Sequence, residues 1–144
     1  MTRMRMLALV VVVAHWIVAI WHLFFAAKIL PAPNNHVSWV AITLITFGHL
    51  VVALALWKAS YRFAGVVSLI FFLAAMSADL YEHFLHVSAN NVFMVGSGDG
   101  TALFKASVVV LLLLEILGLL LAIMLLGGRT RNSQPRLANG GVFS

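Results

Sequence analysis

The 144-residue chain contains no cysteine. Disulfide staples, CxxC redox chemistry, thiolate metal sites and a cysteine nucleophile are therefore excluded, and any redox role would have to come from a metal or cofactor. Charge is scarce too, because Asp, Glu, Lys and Arg together make up 9% of the residues and only 4 of them are acidic. Apolar residues reach 63% and the mean hydropathy is +1.07, whereas soluble domains run near half apolar and a quarter charged. The composition is that of a membrane protein. A net charge of +5 would suggest nucleic acid for a soluble chain, but the basic residues here flank apolar runs, which is a topology signal. No nucleic-acid partner is expected.

Four apolar runs, at about 6–27, 38–57, 63–85 and 102–126, each approach the roughly 20 residues that a spanning helix needs. They are too long and too rich in Leu and Ala for barrel strands and lack polar/apolar alternation. The predicted fold is an all-α integral membrane protein, a four-transmembrane-helix antiparallel up-down bundle over 1–127, with a flexible basic cytoplasmic tail over 128–144. Pro31 and Pro33 mark the first link, Lys58 to Arg62 form a tight second link, and Asn90, Asn91 and Gly96-Ser-Gly-Asp-Gly100 lie in the third. The glycine-rich stretch lacks the Lys-Ser/Thr ending of a phosphate cradle and reads as a turn. The Asn34-Asn35 and Asn90-Asn91 pairs do not amount to a repeat.

Arg3, Arg5, Lys58, Arg62, Arg129, Arg131 and Arg136 fall on one side of these runs, while Lys28 and Lys105 fall on the other. The bias predicts an inner-membrane protein with both termini cytoplasmic. Trp39 and Trp57 bracket the second run, about 27 Å apart at the helical rise, and read as interface anchors. A secretory signal is the rival reading of the first run, since Arg3 and Arg5 precede an apolar stretch that ends at Ala26-Ala27. The length of the run and its two histidines favour a membrane span.

Nine side chains cost free energy in such surroundings: His15, His22, His49, Asp79, Glu82, His83, His86, Lys105 and Glu115. Each needs a partner, a wet cavity or a ligand. Counted from the outer end of each run, His15, His49 and Glu115 share a depth of roughly 18–20 Å. Above them, roughly 5–10 Å below the boundary, come His22, Asp79, Glu82 and His83, with His36 and His86 at the rim. His15 and His22 are seven apart and share a helical face, as do Asp79, Glu82 or His83, and His86 in the third run. Thr43, Thr46 and His49 step by three on the second. Gly118 beside Glu115 permits close helix approach.

Imidazole and carboxylate together suit iron, copper, zinc or manganese, and two His with one carboxylate leave open positions for substrate or oxygen. His15, His49 and Glu115 are one candidate set, and His22 and His83 with Asp79 or Glu82 are a second, with His86 near it. Haem b held between His15 and His49, or His22 and His83, is the sibling expectation. A transition-metal or haem site for redox or small-molecule chemistry is thus the leading reading. The competing reading is a metal-independent isomerase, cyclase or hydrolase, in which Asp79, Glu82, His83 and Glu115 act as acids and bases on a lipophilic small molecule. Trp16, Trp21, Phe24, Tyr81 and Phe84 would line its pocket, although aromatics at such spacing usually serve packing or the interface. An accessory subunit of a larger membrane complex is the third reading, and partners then include lipid and a second copy or other subunits. A proton or cation carrier would also use mid-membrane Glu and His, but no broken helix or inverted repeat marks a transport site.

Overall fold

A computed structural model of the protein describes residues 2–29 and 39–127. The first link, with Pro31, Pro33, Asn34, Asn35 and His36, and the tail at 128–144 lie outside the described residues. The described chain is all-helical: α1 (Arg3–Ile29), α2 (Trp39–Lys58), α3 (Tyr61–Leu80) continued by a π-helical turn (Tyr81–Leu85), and α4 (Thr101–Gly127). Each covers one of the apolar runs, and all four are long and apolar enough to cross a membrane.

The helix ends follow from local chemistry. Ser60 takes extended backbone ahead of α3 and accepts the Phe63 N–H, capping a donor that would otherwise be unpaired. Arg5 ties this corner down by donating to the Ala59 carbonyl at 2.7 Å while its guanidinium lies 4.1 Å over the Tyr61 ring. The Tyr61 hydroxyl bonds Thr2 in turn. Before α4 the chain turns at Gly100, whose φ of 91° favours glycine, and the Thr101 hydroxyl donates to the Gly96 carbonyl.

The π turn widens the end of α3 by one residue. Its signature is the His86 N–H reaching the Tyr81 carbonyl at 2.7 Å, five residues back. Asn91 then locks the following loop: its buried side chain donates to the His86 carbonyl and accepts the Phe93 N–H, while Val92 N–H bonds the His83 carbonyl.

Neighbours in the chain are neighbours in space, with α1 on α2, α2 on α3, α3 on α4, and α4 back on α1. Along α1 and α4 the contacts run in opposite order, Lys28 near Gly100, His22 on Ser107, and His15 on Glu115. Two apolar clusters result. One, built around Val11, Val12, Val52, Leu56, Phe72, Leu121 and Leu125, fills the end near both Arg5 and Ala59. The other, with Ala26, Phe104 and Val108 at its centre, fills the opposite end. The polar side chains lie between them.

Candidate functional site

A cavity of about 430 Å³ occupies this middle layer, and His15, His22, His49, Asp79, Glu82, His83 and Glu115 all line it. Helical periodicity explains the gathering: His15, Ala19, His22 and Ala26 form one stripe of α1, and Phe71, Ala75, Ala78 and Asp79 form one of α3. On α1 the two histidines alternate with two alanines, so the stripe supplies polar groups and also the room around them. Ile45 and His49 on α2, with Leu111 and Glu115 on α4, close the wall by i, i+4 pairs.

At the end of the cavity next to the Val12 and Val52 cluster the hydrogen bonds form a chain. His49 Nδ1 lies 2.6 Å from the Ile45 carbonyl, His49 Nε2 lies 2.7 Å from His15 Nδ1, and His15 Nε2 lies 3.3 Å from Glu115 Oε1. A carbonyl only accepts, so His49 carries its proton on Nδ1 and, as a neutral ring, accepts at Nε2. His15 must then donate from Nδ1 and keep a lone pair on Nε2. The proton of this contact therefore sits on Glu115 Oε1, which donates to His15 Nε2. The second Glu115 oxygen is buried without a hydrogen-bond partner, and Asp79, on the same cavity wall, is near enough to interact electrostatically with Glu115. Glu115 has no solvent-exposed surface at all.

Packing holds this chain in place. Phe71 and Phe72 set their edges against the His15 ring at centroid distances of 6.0 and 5.6 Å, and Phe71 does the same to His49 at 4.8 Å. Gly118 makes this possible, since a Cβ there would sit 2.5 Å from the Phe72 ring.

At the other end of the cavity two histidines are pinned separately. Ser107 spends its hydroxyl proton on the Phe104 carbonyl at 2.7 Å, so its oxygen accepts from His22 Nδ1 at 2.9 Å. His83 Nδ1 donates to the Asn90 carbonyl at 3.0 Å. The two rings meet edge to face, 4.7 Å between centroids. No protein-family model, curated protein or solved structure matches this chain. The reading of the site therefore rests on its own geometry.

His86 stands apart from the group that the sequence places together. Its ring stacks on Tyr81 at 5.3 Å and its Nδ1 lies 3.5 Å from Glu82 Oε2, with both side chains 47% exposed. The π turn between them breaks the 3.6-residue phase on which the shared face relied. Lys105, Trp16, Trp21, Phe24 and Tyr81 are exposed and lie outside the cavity. Thr43 bonds the Trp39 carbonyl on its own helix, and Thr46 receives the Trp16 indole N–H. Conversely, Ser107 and Asn90, which fix the tautomers of His22 and His83, and the alanines that leave the cavity open carry no chemical signal in the sequence.

The ring nitrogens of His15 and His49 are spent on each other and on Glu115 and Ile45. Among the described residues no three His, Asp or Glu side chains converge on a point where a metal ion would be held. A porphyrin between His15 and His49 would need a gap where there is a 2.7 Å hydrogen bond.

Proposed function

We propose that the protein is a membrane-embedded acid/base catalyst acting on a lipophilic small molecule in this cavity, an isomerase-type reaction in which one proton is added and another removed. The observation that carries the reading is the directed chain from Ile45 through His49 and His15, which commits one proton to the Glu115–His15 contact. Glu115 is the acid and delivers that proton to one substrate atom. Asp79 is the base and takes a proton from another, and exchange between the two facing carboxyls restores the starting state. Paired carboxyls set among apolar walls suit such a division of labour. His15 and His49 are positioning residues that hold Glu115.

The same chain disfavours proton conduction across the membrane. His49 donates back into its own helix, and beside it lie Val12, Val52 and Leu56, part of an apolar cluster. A metal or haem reading would require the His15–His49–Glu115 chain to come apart.

The setting belongs to the proposal as well. Large apolar side chains such as Leu44, Phe47, Ile70, Leu113 and Ile123 point outward along the helices, and the opposite order of contacts on α1 and α4 supports an antiparallel up-down bundle in the inner membrane with both termini cytoplasmic. The cavity then lies in its outer half.

The test uses purified protein in lipid nanodiscs, incubated in D2O with a lipid extract and followed by mass spectrometry. Deuterium incorporation or conversion of a lipid is expected, lost in Glu115→Gln and Asp79→Asn and retained in His86→Ala. Conversion that survives Glu115→Gln would refute the proposal.

A further inference from the structure

The acid/base proposal uses Glu115, Asp79, His15 and His49 and leaves His22 and His83 without a task. Both rings are buried, 7% and 5% exposed, and both face the cavity. Each has its Nδ1–H committed to a fixed acceptor, Ser107 Oγ for His22 and the Asn90 carbonyl for His83. Each neutral ring therefore turns a lone pair, on Nε2, to what lies next to it. Two independent anchors on two different elements, α4 for one ring and the loop after the π turn for the other, produce the same tautomer.

Around these acceptors Ala19, Ala26, Ala75 and Ala78, with Leu23 beside them, make a small apolar wall, and Asp79 and Glu82 line the same cavity. A cavity of about 430 Å³ lies in the range of small-molecule sites, where apolar walls enclose a few placed polar groups. We infer that the Nε2 lone pair of His22 or of His83 receives the O–H of an otherwise apolar ligand, an alcohol or phenol, whose body fills the space between the alanines. A ligand carbonyl or ether oxygen would set lone pair against lone pair and be refused. A divalent cation is the other species that an imidazole lone pair accepts, but no third His, Asp or Glu converges here among the described residues. The inference names the substrate class for the proposed catalyst and rests on that reading only for the word substrate; the binding stands or falls alone.

The probes are 2-naphthol and its methyl ether, titrated into nanodisc-embedded protein with 15N-labelled histidine. Naphthol is expected to bind saturably and about tenfold more tightly than the ether, the worth of one good hydrogen bond, and to shift the Nε2 resonance of His22 or of His83. Ala75→Leu, which narrows the cavity without touching either histidine, should abolish binding of both probes. Glu115→Gln should leave naphthol binding intact, so a catalytic failure and a binding failure are separable. Equal affinities, naphthol bound with unmoved Nε2 resonances, or Zn2+ shifting those resonances and displacing naphthol would each overturn the inference.

Discussion

At the scale of single residues, Glu115 concentrates the chemistry. An amide in its place can still donate to His15 Nε2, so Glu115→Gln should leave stability within about 1 kcal/mol while removing the exchangeable acid. Glu115→Leu instead strands the His15 nitrogen in a buried site and should cost about 1–3 kcal/mol. Denaturant unfolding in detergent measures both, and equal stability of the two variants would show that the His15 contact contributes nothing. The shared depth of His15, His49 and Glu115 is legible in the sequence, because depth in a helix is a count of residues times a fixed rise. The direction of their hydrogen bonds is not, because it begins at the Ile45 carbonyl, a backbone atom that every residue possesses. Ser107 escapes notice for a related reason: one serine in an apolar helix ordinarily bonds its own backbone, as this one does with Phe104, and only the arrival of His22 gives its oxygen a second task.

Among elements, the register of α3 against α4 decides whether the site holds together. Phe72 rests on Gly118 and presents its edge to His15, so Gly118→Ala should push the ring toward the histidine and destabilise the protein by about 1–3 kcal/mol. Gly98→Ala meets nothing within 4 Å and should be neutral; a thermal shift assay on the two variants checks the contrast. The π turn acts at the same scale. By giving α3 one extra residue in its last turn it carries His83 inward to Asn90 and His86 outward to Tyr81. An α-helical phase places both on one face, so spacing alone could not separate them.

At the scale of the whole molecule, the four helices among the described residues have apolar outer faces and surround a cavity lined by polar side chains, between two apolar clusters. The orientation proposed for it is open to direct measurement because the chain lacks cysteine: a single introduced thiol reports the side it faces. Gly98→Cys should react with an impermeant maleimide added outside intact cells, and Ala59→Cys only after permeabilisation. The reverse pattern would invert the placement drawn from the Lys and Arg bias.

The sequence by itself determined the number of helices, their extents to within a few residues, and the residues too polar for their surroundings. These are local quantities, set by run length, hydropathy and the rise of a helix. The tertiary structure decided that the two polar layers line one cavity, that His86 is not part of it, and which nitrogens of His15, His22, His49 and His83 are engaged. Those outcomes depend on inter-helix register, on a π turn and on backbone carbonyls, and a hydrogen bond acquires its direction only when both of its partners are in place.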